Sequence, residues 1–166
     1  MNALRHLAGL ARRTVLGLSP GLARPDDGFA LRWLEEREAD AYRAMDPRDR
    51  DHACRVARRL LACHPEADPR TVRAALLHDV GKSERPYRVW ERVLVHVWTP
   101  DPAAAGRFPA ALRGAWRVHA EHAELGAGRL RALGVDARVV ELVARHHEAP
   151  TGDEELRRLA AADEAT

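Results

Sequence analysis

Residues 68–82 read Asp68-Pro69-Arg70-Thr71-Val72-Arg73-Ala74-Ala75-Leu76-Leu77-His78-Asp79-Val80-Gly81-Lys82. Asp followed by Pro is a helix start, because the carboxylate caps the first amides and proline suits the first helical position. An apolar helix over 69–80 is expected, with Gly81 as its stop. It carries His78 and Asp79 to the end of an apolar run. Outward from it, every stretch long enough to read has helical spacing. Asp46-Pro47 repeats the same start and opens a helix to about Cys63. Further helices are expected over 3–18, 29–45, 86–98, 110–133, 136–147 and 153–165, with 99–109 as a loop and breaks at Gly134 and at Pro150-Thr151-Gly152. No run alternates polar and apolar residues, and β-branched residues other than Val are scarce, so strands are not expected. The fold class is all-α: a single domain over 28–166 with a basic N-terminal extension over 1–27.

Composition agrees and narrows the function classes. The chain has 166 residues, 46% hydrophobic and 31% charged, which suits one domain with a buried core. Its longest apolar runs fall far short of the roughly 20 residues that a membrane-spanning helix needs. Alanine occurs 31 times, and isoleucine and glutamine never; 26 of the 27 basic residues are Arg, Lys82 being the one lysine. We read this skew as codon bias, against which a retained lysine stands out. Net charge is +2, with four Arg and no acid in residues 1–25, so the main domain is slightly acidic and lacks a broad electrostatic footprint for DNA. Cys54 and Cys63 lie nine apart on one helix, about 13 Å, which is too far for a disulfide. They are expected to be reduced core residues of a cytoplasmic protein without a signal peptide.

The chemistry lies in histidines and aspartates on the inward lines of separate helices. His52 aligns with Val56, Leu60 and Cys63; His78-Asp79 closes the central helix; His122 lies in the 110–133 helix. His146-His147 closes the helix whose inward line is Val139 and Val143, and Asp163 follows Leu156 and Leu159. Buried carboxylate and imidazole are unfavourable together unless paired or bound to metal. Imidazole with carboxylate suits Mn²⁺, Fe²⁺, Co²⁺, Ni²⁺ or Zn²⁺. A bridging carboxylate lets such a set hold two metals, which at roughly 3.5–4 Å apart can clamp a phosphate. Lys82, just beyond, would offer a point charge to a phosphate oxygen.

This ordered set, His52, then His78-Asp79, then Asp163, resembles the defining pattern of the HD superfamily of metal-dependent phosphohydrolases. His78-Asp79-Val80-Gly81-Lys82 resembles its HD-[IV]-G-K variant. His122-Ala123-Glu124-Leu125-Gly126 with His146-His147-Glu148 resembles the HDIG and HD-GYP type, and the whole resemblance covers about 46–166. It implies a helical fold in which His52, His78, Asp79 and Asp163 hold one divalent metal, with Asp79 bridging, and His122, His146 and His147 hold a second. Two positions depart from the HD-GYP branch. Arg48 stands where its trinuclear pattern has Glu, and no Gly-Tyr-Pro follows the histidine pair, so neither a third metal nor cyclic di-GMP specificity is implied.

The function expected from this resemblance is hydrolysis of a phosphomonoester or phosphodiester, nucleotide-type, by a metal-activated hydroxide. Asp79 and Lys82 would be catalytic, and Lys82 and His119 would meet the substrate. A di-iron oxygenase and a non-catalytic nucleotide- or partner-binding module are the alternatives. Asp163, three residues from the end of the sequence, would need metal to hold its helical turn in place. The tryptophans are expected mostly in the core, with Trp98 or Trp116 able to stack a base beside the 99–109 loop. The apolar stripe of 3–18 is expected to pack on the domain or dock to a partner.

Overall fold

A computed structural model of the chain describes residues 23–85, 87–88, 90–91, 94–95, 108–149 and 152–166. The stripe expected over 3–18 lies outside them, as do Trp98 and most of the stretches 86–98 and 99–109. Among the described residues there are helices and no strand. They are α1 (Asp27–Ala30), α2 (Glu36–Arg43), α3 (Pro47–Cys63), α4 (Pro69–Leu77), a 3₁₀ helix (Val80–Glu84), α5 (Ala110–Ala132), α6 (Ala137–Arg145) and α7 (Glu154–Glu164).

The aspartates start helices where the sequence places them. Asp46 accepts from the Arg48 amide, Asp68 from Arg70, Asp136 from Arg138 and Asp153 from Leu156. Each side chain satisfies an amide that has no partner within its own helix. Gly134 closes α5 at φ +71°, where its amide bonds Arg131 O and the Val135 amide reaches back to Leu130 O. That pair of bonds is a Schellman ending, which a glycine permits.

The single helix expected over 29–45 is divided. The Glu35 amide is accepted by Glu38 Oε2 at 2.9 Å, so α2 starts afresh there. Division lets Phe29 on α1 and Tyr42 on α2 enter the same core. Cys54 is buried as expected, whereas Cys63, at the last position of α3, is exposed and does not extend the inward line. Trp90, read with the inward residues of 86–98, is also exposed.

α4 is the central element and packs against α2, α3, α6 and α7. Val72 and Ala74 through Leu77 have no accessible surface, as befits a helix apolar on nearly every side. It ends at Leu77, short of Gly81, and His78-Asp79 form a turn into the 3₁₀ helix. The end of the central helix thus delivers a polar pair to the middle of the molecule. A second apolar cluster, Tyr87, Val95, Ala115, Trp116 and Val118, lies on the N-terminal half of α5. No described helix is long and apolar enough to cross a membrane.

Candidate metal centre

Five helices bring the sequence-derived residues to one place. His52 comes from α3, Asp163 from α7, His122 from α5, His146 and His147 from the end of α6, and His78-Asp79 from the end of α4. They form two groups. The ligating atoms of His52, His78 and Asp163 lie within 4.8 Å of one another, and so do those of His122, His146 and His147. The groups adjoin through His78 and His146, whose ring centroids are 5.1 Å apart. Asp79 stands between them: Oδ2 is 3.6 Å from His78 Nε2, and Oδ1 is 3.4 Å from His122 Nε2.

Backbone geometry fixes which ring nitrogen each imidazole offers. The Nδ1 atoms of His78, His122 and His146 lie 2.9, 2.8 and 2.7 Å from the carbonyls of Ala75, His119 and Val143, three residues back in each case. A carbonyl only accepts, so each Nδ1 carries a proton and each Nε2 is the ring nitrogen that faces inward. That is the arrangement of a metal-ligating histidine with its outer nitrogen anchored. Nε2 of His146 is buried and has no hydrogen-bond partner among the described residues. A buried acceptor left in that state is expensive, and a cation satisfies it. The donor set therefore fits a divalent metal.

A model of the HD domain matches residues 50–165, about two-thirds of the chain. The chain belongs to the HD domain family. No match to a curated protein or to a solved structure was found. The HD domain family generally contains metal-dependent phosphohydrolases, and the two His/Asp groups of this chain could bind metal.

Electrostatics in this HD domain favour cation binding. Burial alone would raise the Asp79 carboxyl, but the Lys82 ammonium, His78 and His122 outweigh it and hold it well below the usual range. Burial likewise works to raise Asp163, and His52 and His78 overcome it. Both carboxylates are ionised at neutral pH. Burial, together with His78 and His147, pushes His146 down to about 3, and burial beside His122 lowers His147. A neutral imidazole and an ionised carboxylate are the forms that ligate.

The remaining expected residues fall into place unevenly. Asp163, despite its position in the last helix, is anchored by His52 Nε2 at 2.9 Å. His147 is exposed, yet its ring lies 3.9 Å from that of His146, because α6 ends at Arg145 and the following turn brings both rings together. Lys82 Nζ lies 2.7 Å from Asp79 Oδ2, inside the site. His119 is in neither group; its ring stacks at 6.4 Å on that of His122. Trp116 is not a stacking platform for a base: it is buried edge-on against Phe108 at 5.1 Å.

Sequence reasoning missed the anchoring carbonyls of Ala75, His119 and Val143 and the close approach of Gly126 to Gly81. The first had a signal, since a ligating histidine often donates its other ring N–H to a backbone carbonyl. The second had none, because a glycine inside a helix says nothing of what approaches it.

Proposed function

We propose that this HD domain is a metal-dependent phosphohydrolase acting on a small phosphomonoester or phosphodiester, of the nucleotide type. His52, His78, Asp79 and Asp163 would hold one divalent transition metal, and His122, His146 and His147, with the other oxygen of Asp79, a second. Mn²⁺, Fe²⁺, Co²⁺, Ni²⁺ and Zn²⁺ all suit this donor set. The observation that carries the reading is Asp79, a buried ionised carboxylate with one oxygen facing each histidine group. When bound, such metals supply Lewis acidity at phosphorus oxygens and a nucleophile from water at neutral pH.

The chain's own groups do the rest. Asp79 and Asp163 stay ionised and offset cationic charge. The backbone-anchored imidazoles keep their Nε2 atoms oriented before any ligand arrives, so little reorganisation accompanies binding. Lys82 is a compact cation 2.7 Å from Asp79 Oδ2 and would meet the negative charge of a phosphoryl oxygen. His119, part-exposed one turn from His122, would contact the substrate beside it.

Metal content of wild type and Asp79→Ala, purified side by side, tests this together with Mn²⁺-supported hydrolysis of nitrophenyl phosphate and bis-nitrophenyl phosphate. We expect about two metals and turnover in the wild type, and loss of both in the variant. Two irons with oxygen consumption and no hydrolysis would replace this reading with an oxygenase. Absence of metal in both proteins would replace it with a binding module.

A further inference from the structure

We infer that the backbone contact between Gly81 and Gly126 sets the spacing of the two ligand groups, making both glycines positioning residues for the second cation. The inference rests on the two-cation reading above. Gly81 lies in the 3₁₀ helix two residues beyond Asp79, and Gly126 lies one turn beyond His122 on α5. The two elements meet backbone to backbone. A Cβ on Gly81 would fall inside the van der Waals envelope of the His122 carbonyl oxygen, 2.8 Å from its carbon and 2.6 Å from the Gly126 nitrogen. A Cβ on Gly126 would lie 3.0 Å from both the Gly81 nitrogen and Val80 Cγ1. No side chain longer than hydrogen fits at Gly81 unless α5 moves away.

The consequence is selective because of how the ligands are distributed. His122 is the one proposed ligand on α5, whereas His52 and Asp163 lie on α3 and α7, and His78 and Asp79 form the turn between α4 and the 3₁₀ helix. His146 and His147 follow α6. An outward shift of α5 therefore draws His122 Nε2 away from Asp79 Oδ1, from which it is now 3.4 Å, and leaves the His52–His78–Asp163 group unaltered. A Cβ on Gly81 strikes the backbone carbonyl of His122 itself, and one on Gly126 pushes on Val80 and Gly81, so both press apart the segments that carry Asp79 and His122. Gly128, on the same helix, has nothing within 4 Å of an added Cβ and provides the control.

Calorimetric titration of metal-stripped full-length protein with Mn²⁺ tests the inference, with electron paramagnetic resonance of the loaded samples as a second readout. Wild type and Gly128→Ala are expected to take up two ions and show a spin-coupled pair. Gly126→Ala is expected to keep the first ion at wild-type affinity and to bind the second roughly tenfold to a hundredfold more weakly, with the coupled signal lost. Gly81→Ala should lose the second ion entirely; should it fail to fold, Gly126→Ala, which asks its neighbours to give by only a few tenths of an ångström, decides the matter. Two ions at wild-type affinity in Gly126→Ala, or equal weakening of both, would overturn the inference and leave the two-cation reading standing. Fewer than two ions in the wild type would overturn that reading and the inference with it.

Discussion

Asp79 and Lys82 show why individual residues of the site were legible while their pairing was not. A buried carboxylate and a lone lysine three positions apart are visible in the sequence, but a 3₁₀ turn is what brings Nζ to 2.7 Å from Oδ2. If Lys82 supplies charge to the bound phosphate, Lys82→Met should lower kcat by roughly a hundredfold, in line with loss of a single well-placed donor. Metal content should not fall, because the variant removes a competing cation from Asp79 and no ligand. A parallel loss of metal would instead make Lys82 part of the support for Asp79. His147 is the opposite case. Adjacent histidines on a continuing helix project about 100° apart, and the helix ending at Arg145 is what allows both rings to serve one group.

At the scale of elements, helix starts were readable because capping is local chemistry. Asp136 illustrates it, accepting from both the Arg138 and Val139 amides at the head of the helix that leads to His146. Asp136→Ala should cost about 1 kcal/mol of stability, measured as a lower urea midpoint, with metal uptake unaffected at temperatures where the protein is folded. Helix ends and breaks were less legible. The expected 29–45 helix is interrupted by a competing side-chain bond from Glu38, and the expected stop at Gly81 arrives early at Leu77. In both places a tertiary demand, entry of Phe29 and Tyr42 into one core and delivery of His78-Asp79 to the centre, overrides helical periodicity.

For the whole molecule, the ionised and neutral groups of the site make stability depend on pH. His146 falls from an ordinary 6.5 in the unfolded chain to about 3 when folded. Below pH 6.5 the unfolded chain takes up a proton that the folded protein refuses, so stability is greatest above 6.5 and declines as pH falls toward 3. Asp79 and Asp163, both lowered, add a loss of the same sign once pH drops below their ordinary 3.8. Thermal unfolding of metal-free protein should therefore shift to lower temperature between pH 7 and pH 5, and His146→Asn should flatten that slope. Bound Mn²⁺ should raise the unfolding midpoint, since an ion at a hundred times its dissociation constant contributes about 2.7 kcal/mol. Chelation should reverse the gain. An unfolding temperature indifferent to Mn²⁺ would show that the clustered groups hold no ion.

The sequence by itself determined the all-α class, the cap of each long helix begun by Asp-Pro, and the residues that gather at the centre. These follow from periodicity, local hydrogen bonding and residue chemistry, all of which act within a few positions along the chain. Only the tertiary structure decided that the residues divide into two groups with Asp79 between them. It alone decided that three backbone carbonyls aim the imidazoles, and that Gly81 meets Gly126. Those are relations between residues tens of positions apart, and the packing of α4 and α5 against their neighbours creates them.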